Sequence, residues 1–294
     1  KNHKNFWSFD INLHTNLELN LPGSFFEFIK RGQEGSIRNL GTSADLYLDA
    51  GFAYSFPLLG DKLYIGAKAK FLLGVARMKL NFERFDVTMQ DDRWAVESLT
   101  SIETNILGNT NPEYTYDQNG TPYFEIGDLF NINKFQPAGY GFAVDLGATY
   151  DILHNLQVSL AVTDLGFISW SKGGSCYGEA QSYTEYTGVI VEGGQVPESP
   201  NFSFEEIMRF RPTNPQSTTR MLRASLNAGI AYWLWQHRIS LGAFYQMRLW
   251  EYKNLHSITG SVNFSPARWF TLSGSYTLQG RYSSTVGVGM NICP

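Results

Sequence analysis

Apolar and polar residues alternate with a period of two along most of the chain. From Trp7 to Leu21 the odd positions are apolar, apart from Thr15, and the even positions from Ser8 to Asn20 are polar. This alternation is typical of a strand whose two faces meet different surroundings. The pattern recurs in further segments and predicts ten strands in all. The other segments are residues 44–56, 63–75, 142–150, 156–162, 222–234, 239–249, 258–264, 270–278 and 286–292.

The length of these strands favours a membrane barrel over a soluble sandwich. Most of them run for about nine to fifteen residues, whereas strands of soluble proteins usually have about five or six. Short and long connections also alternate, as in barrels with short periplasmic turns and longer extracellular loops. We therefore predict an all-β fold: a transmembrane antiparallel up-and-down β-barrel. Residues 1–294 form one outer-membrane domain in this interpretation, with long extracellular loops at 78–138 and 166–217.

Composition restricts the function further. Only 17% of residues are charged and the net charge is −4, so there is no basic surplus with which to neutralise a nucleic-acid backbone. The longest apolar run, residues 71–76, is far shorter than the roughly 20 residues of a membrane-spanning helix. We expect a protein in contact with outer-membrane lipid, and we expect no nucleic-acid partner.

The long loops are expected to contain some regular structure. Ser24 with Glu27, and Ser203 with Glu206, have the spacing of a capping box and predict short helices. Residues 78–104 are expected to form a hairpin that turns at 90–93. Cys176 lies in the second long loop, where we expect a free thiol that an impermeant reagent reaches.

Four segments of the chain resemble motifs of a known family. They are LPGSFFEFIKRG at 21–32, IGAKAKFLLG at 65–74, GFAVDLGATY at 141–150 and TDLGFISW at 163–170. The family consists of uncharacterised Gram-negative outer-membrane proteins, similar in expected fold to long-chain fatty-acid transporter barrels and to barrels of the type IX secretion system. The resemblance implies a barrel of about fourteen strands, with about ten in this chain and both ends cut. It implies no catalytic residue.

Charged residues on the polar faces of the strands form the first candidate site. Both signs are present, and two interpretations are open: a selectivity lining for a polar solute, or an internal ion-pair network that fills a narrow barrel. Side chains on neighbouring strands stand about 5 Å apart, so at least one direct ion pair is expected among the first three strands. The candidate residues are Asp10, His14, Glu18, Asp45, Asp49, Lys68, Lys70, Asp145, Arg223 and Arg248.

Aromatic residues of the long loops form the second candidate site. They either bind an apolar ligand or a partner, or pack the loops against one another over the barrel mouth. The candidates are Tyr114, Tyr116, Tyr123, Phe124, Phe130, Phe135 and Phe204.

Function follows only coarsely from these features. No two histidines have the spacing of metal ligands, so we expect no metal and no cofactor. Only His14 is a candidate for a hydrolase site, and a hydrogen-bonded histidine in the lumen is the simpler interpretation, so we expect no enzymatic activity. The leading hypothesis is a passive import route for hydrophobic or amphipathic compounds, which makes a hydrophobic small molecule the expected ligand. The alternative is a non-transporting barrel that scaffolds a secretion or cell-surface complex, with a protein partner at its loops.

Overall fold

The computed structural model describes most of the chain. The described residues are 5–31, 35–89, 93–108, 113–130, 136–187, 208–214, 216–235, 238–250, 252–267, 269–280 and 283–292. Ten long strands are β1 (Phe6–Asn20), β3 (Leu40–Leu58), β4 (Leu63–Met89), β8 (Gly139–Leu153), β9 (Leu156–Trp170), β13 (Ser225–Leu234), β14 (Ile239–Arg248), β15 (Leu255–Ala267), β16 (Phe270–Gln279) and β17 (Ser283–Ile292). The remaining elements are β2 (Gly35–Ile37), β5 (Arg93–Ile106), β6 (Thr115–Tyr116), β7 (Pro122–Tyr123), β10 (Ser175–Thr187), β11 (Arg211–Thr213), β12 (Thr218–Met221), helix α1 (Gly23–Arg31) and 3-10 helices at Ile126–Phe130 and Lys172–Gly174.

The ten long strands form one antiparallel wall. Their order is β1-β3-β4-β8-β9-β13-β14-β15-β16-β17, which is sequence order once the strands outside the wall are set aside. Short connections such as 59–62 and 154–155 join the strands at one end of the wall, which we call the turn end. The opposite end, with the long connections, is the loop end. The wall confirms the ten strands and the up-and-down topology that the alternation predicts.

The wall curves so that its polar face becomes an interior. Arg223 contacts Glu18 on β1 and Ser43 on β3 although several strands separate them along the sheet. Apolar side chains cover the opposite face: Ile11 is 66% exposed, and Leu160 and Val262 are about half exposed. A broad exposed apolar surface is unfavourable in water and favourable against acyl chains. The fold is that of a transmembrane antiparallel β-barrel of the outer membrane.

Helices contribute little to this architecture. Among the described residues, no helix combines the length and the hydropathy needed to cross a membrane. Helix α1 confirms the helix expected after Ser24, although it begins one residue earlier, at Gly23. The second expected helix, at Ser203, lies outside the described residues.

The same sheet extends beyond the wall at the loop end, and we call this extension the outer sheet. It consists of β2, the 76–89 half of β4, β5, β10 and β11. The pairing of β4 with β5 confirms the hairpin expected over 78–104; its turn, 90–92, lies outside the described residues. Segments 113–130 and 208–213 cover one face of this sheet and complete a small apolar core. That core contains Leu80, Phe82, Ile102, Ile106, Phe124, Leu129, Cys176, Ala180 and Phe210.

Two expectations about the loop end are wrong. Strand β13 begins at Ser225 and not at Leu222, because residues 222–224 leave the ladder and the Ala224 N–H donates to the Leu222 carbonyl, at 2.9 Å. Cys176 is a free thiol as expected, but it is only 5% exposed, because it belongs to the core of the outer sheet. Burial raises the pKa of its thiol to about 12.

Candidate functional site

A charged group near the turn end crosses three strands. Lys68 on β4 donates to Asp10 on β1, with Nζ 2.6 Å from Oδ1, and so reaches over the intervening strand β3. It passes above Gly51, where a Cβ atom would overlap the Lys68 side chain. Asn12 then donates from Nδ2 to Asp10, at 2.7 Å, and to Asp49, at 3.2 Å. One ion pair of the kind expected among the first three strands is therefore present.

The same polar chain continues to a histidine. His14 Nε2 forms a short contact with Asp49 Oδ2, and Asp49 is fully buried. The His14 ring stacks on Tyr47, with centroids 4.8 Å apart. These contacts give His14 a hydrogen-bonded place in the lumen wall.

The next ion pairs sit at a bulge in β9. The pairing of β8 with β9 shifts register between Val144 and Leu146, and Asp164 in this region has a φ of 59°. Bulges re-aim side chains, and this one turns Asp164 into the lumen. Lys70 Nζ lies 2.7 Å from both Asp145 Oδ2 and Asp164 Oδ1, and the lysine is only 5% exposed. One buried cation thus joins two carboxylates.

A bulge in β4 places a further arginine inside. The pairing of β3 with β4 shifts register next to Leu46 and Tyr47, which reverses the faces of β4 beyond Gly74. Arg77 therefore faces inward and lies 3.2 Å from Glu103 and 3.9 Å from Asp45. Arg220 also reaches Glu103, at 3.4 Å.

Arg223 closes the polar network at the loop end. Its Nη2 lies 3.1 Å from Asp45 and 3.7 Å from Glu18. Its guanidinium carbon lies 5.2 Å from the centroid of the Trp250 ring, a cation–π distance. Glu18 in turn accepts a hydrogen bond of 3.1 Å from the Tyr252 backbone N–H.

Nine of the ten residues singled out in the sequence take part in these contacts, in three groups around Asp10, Lys70 and Arg223. Arg248 shares the inward face by register, since it pairs with Ser225, but within the described chain it forms no ion pair or hydrogen bond through its side chain. The sequence reasoning missed Arg77, Glu103, Asp164 and Arg220. A break in alternation at Val75-Ala76 is the only sequence signal for Arg77, and Asp164 comes two residues after the end of the expected strand 156–162.

An apolar cluster occupies the loop-end half of the lumen. The alternation does not predict this cluster, because its members lie on the inward face, where most positions are polar. Leu72, Ile168 and Trp170 are almost fully buried there. The buried members are Tyr47, Leu72, Ala138, Ala143, Ile168 and Trp170, with Leu222 packed against them.

A cavity of about 490 Å³ lies between this cluster and the Arg223 network; we call it the Arg223 cavity. It sits where residues 222–224 connect β12 to β13 outside any strand, although the Leu222 N–H still donates to the Gly166 carbonyl, at 2.9 Å. Charged Asp45, Arg77 and Arg223 line one part, and Ile168 and Trp170 line another. The rest of the lining is Asn16, Tyr47, Leu165, Thr219, Arg220, Met221, Leu222, Ala224, Leu249 and Trp250.

A second cavity, of about 420 Å³, lies toward the turn end. Its lining includes small residues such as Gly66, Gly147 and Ala161, together with Lys68 and Asp145. Lys70 and Leu72 follow Lys68 on the same inward face of β4, toward the Arg223 cavity.

The loop aromatics do not form one surface. Phe124 is fully buried against Phe210, with ring centroids 5.7 Å apart, and Tyr114 meets the Phe124 ring edge-on. Arg209 lies over the ring of Tyr123, at 5.4 Å. Tyr116 is exposed. Phe135, Phe204 and the side chain of Phe130 lie outside what the structure describes.

Two groups in this region have shifted pKa values. Burial raises the pKa of the Tyr114 hydroxyl. The pKa of Asp117 is lowered by its hydrogen bonds from the Thr121 and Asn119 backbone N–H groups. These bonds and the φ of 77° at Gly120 define a tight turn. Across the described chain, no three His, Cys, Asp or Glu side chains are grouped as a metal site would require.

The chain is similar to several solved channel structures. It shares 11% identity with the Pseudomonas putida toluene transporter TodX, covering 99% of this chain and 80% of that one, with a TM-score of 0.32. It shares 10% identity with the Ralstonia pickettii toluene transporter TbuX, covering 97% of this chain and 79% of that one, with a TM-score of 0.36. It shares 7% identity with a KdgM porin, covering 87% of this chain and 98% of that one, with a TM-score of 0.28. The strand ladders and the two faces of the wall, rather than these distant similarities, define the fold.

Sequence comparison identifies the family. No curated protein matches the chain significantly. A family model described as a family of unknown function, DUF5723, matches residues 1–294. Since the match spans the whole chain, the protein belongs to the DUF5723 family.

Proposed function

We propose that the protein is a passive import route for hydrophobic or amphipathic compounds, and that such a compound binds first in the Arg223 cavity. The observation that carries this proposal is the lining of that cavity. Arg77 and Arg223 offer charge on one side, whereas Ile168, Trp170 and Leu222 offer apolar surface on the other. Pockets for small molecules commonly combine mostly apolar walls with a few placed polar groups.

The position of the cavity supports the same proposal. It lies at 222–224, a connection that belongs to no strand, and its lining includes Leu165 and Met221, which are exposed on the lipid side. A compound dissolved in the membrane meets apolar residues at this point before it meets the charged network.

The path beyond the cavity requires a local movement. Leu72 and the Lys70 ion pairs lie between the Arg223 cavity and the second cavity at the turn end. We propose that this layer is the gate of the route. Displacing one side chain such as Leu72 is a smaller change than opening a strand ladder, which would break several backbone hydrogen bonds.

The experiment fills the cavity and measures entry of a hydrophobic probe. Ala224 is buried and lines the cavity, whereas Ala228 lies on the outward face of β13, opposite Leu160 and Tyr245. Cells that express Ala224→Trp or the matched control Ala228→Trp are compared for uptake of N-phenyl-1-naphthylamine, which fluoresces in membranes. Ala224→Leu serves as a milder variant if the tryptophan impairs folding.

We expect the Ala224 variants to reduce uptake to the level of cells lacking the protein, and Ala228→Trp to retain it. Equal uptake by all folded variants would contradict the proposed route.

The second candidate is a non-transporting barrel that scaffolds a secretion or cell-surface complex. The buried cluster around Leu72 and Trp170, which narrows the lumen, favours it, as do the exposed rings of Tyr116 and Tyr183 at the outer sheet. On that hypothesis, filling the cavity at Ala224 has no effect on uptake, and Tyr116→Ala weakens capture of the partner protein.

A further inference from the structure

The polar part of the Arg223 cavity contains unused donors. Arg223 Nη1 and Trp250 Nε1 are buried and have no hydrogen-bond partner among the described residues. Arg223 engages Ser43, Asp45 and Glu18 through Nη2, which leaves Nη1 as its remaining terminal nitrogen. A buried donor without a partner carries a desolvation cost that an acceptor oxygen removes.

The two donors belong to one place in the cavity. Both side chains line it, and the guanidinium group lies over the indole ring at 5.2 Å. Both nitrogen atoms have almost no solvent contact in this conformation, so a ligand reaches them only when the Arg223 or Trp250 side chain moves. Among the described lining residues, no buried side-chain oxygen lacks a partner. The groups that lack a partner in the cavity are therefore donors, and a ligand has to supply an acceptor.

Each charged residue that lines the cavity already has a partner of opposite charge. Three arginines are each within 4 Å of a carboxylate, and three carboxylates serve them. The six residues are Arg77, Arg220, Arg223, Glu18, Asp45 and Glu103. A charged ligand head would add an unpaired charge to this partly buried network, which is costly, whereas a neutral head would not.

We infer that the compound bound in the Arg223 cavity has an apolar tail and an uncharged carbonyl head, such as an ester or a ketone, that accepts hydrogen bonds from Trp250 Nε1 and Arg223 Nη1. The inference rests on the proposed function, because it names the class of compound that the route takes. The tail packs against Ile168, Trp170 and Leu222, which line the same cavity.

The test is a competition experiment on the full protein in lipid nanodiscs. Bound N-phenyl-1-naphthylamine is displaced by probes that share an alkyl chain of about ten carbons and differ in the head: methyl decanoate, decanoate, decylammonium and decane. The key variant is Trp250→Phe, which removes the N–H and keeps an aromatic ring below Arg223. Trp269→Phe is the matched control, since Trp269 is exposed at the turn end. Arg223→Lys, which keeps the charge facing Glu18 and Asp45, is a second variant if Trp250→Phe folds poorly.

We expect methyl decanoate to displace the dye at the lowest concentration. Trp250→Phe should raise that concentration about tenfold, as the loss of one hydrogen bond predicts, and should leave decane unchanged. Stronger displacement by decanoate or decylammonium would overturn the neutral-carbonyl head. An equal effect of Trp250→Phe on methyl decanoate and decane would also overturn it, with import still supported. Failure of the dye to bind, together with unchanged uptake by Ala224→Trp, would instead contradict the import route itself.

Discussion

Asp145 accepts a hydrogen bond of 2.7 Å, through Oδ1, from the backbone N–H of Asp164 on the neighbouring strand. Asp164 has a φ of 59°, in the left-handed region that few residues other than glycine adopt. The carboxylate of Asp145 therefore stabilises the bulge, and Lys70 neutralises the two acidic groups that the bulge brings together. The Asp145 hydrogen bond and the Lys70 ion pairs thus stabilise this irregular backbone together.

Removing Lys70 should destabilise the barrel strongly. Lys70→Met leaves Asp145 and Asp164 facing each other without a cation, and breaking a buried ion pair from one side costs about 3 to 5 kcal/mol. Asp145→Asn should cost less, because an amide oxygen still accepts from the Asp164 N–H. Urea unfolding of the protein in lipid vesicles measures both. A Lys70→Met protein as stable as the wild type would show that the three groups are not coupled.

The apolar core of the outer sheet should unfold independently of the wall. Phe124 is fully buried against Phe210, so Phe124→Ala should destabilise this region by about 3 to 5 kcal/mol. The loss should appear as faster amide exchange in β5 and β10, with unchanged protection in β13 and β14. Tyr116→Ala, at an exposed position of the same loop, is the control and should change neither. Loss of protection throughout the wall would refute this independence.

Cys176 should be inert in the native protein. Its thiol is buried in the outer sheet and its pKa is raised to about 12, so the reactive thiolate is scarce at neutral pH. An impermeant maleimide on whole cells should leave it unlabelled, and labelling should appear on unfolding. Rapid labelling of folded protein would place Cys176 at the surface.

The same pKa shift makes the outer sheet sensitive to alkali. The folded pKa lies above the ordinary value of 9.0, so the thiol contributes stability that is fully present below about pH 9. That contribution declines as the pH rises toward about 12. Cys176→Ala should remove this part of the pH dependence, and amide exchange in β10 between pH 8 and about 10 provides the measurement. An identical pH dependence in both proteins would rule out the thiol as its source.

Strand positions and facing could be predicted from the sequence because regular alternation encodes them. Asp10 and Lys68 both lie on polar faces that period two identifies, and they form an ion pair. The reach of Lys68 across β3 depends on Gly51, whose lack of a side chain the alternation does not reveal.

Irregular backbone explains most of what the sequence did not predict. Arg77 and Asp164 lie next to bulges, and a bulge reverses the assignment of faces for every residue after it. Leu72 lies in the run Phe71-Leu72-Leu73, where no polar neighbour marks the inward position. The cavity at 222–224 depends on a short irregular connection in a segment that alternates like its neighbours.

The most direct test of the membrane-barrel account compares two neighbouring positions in the middle of β13. Ile230 is 46% exposed on the outward face, whereas Ala231 shares the inward face with Gly242. In vesicles, Ile230→Arg should lower the free energy of unfolding by about 2 to 4 kcal/mol, because the charge enters the lipid near mid-membrane. Ala231→Arg should cost clearly less, since it adds a charge to a polar lumen. Equal costs, or a larger cost at Ala231, would contradict the assignment of the two faces on which the whole account rests.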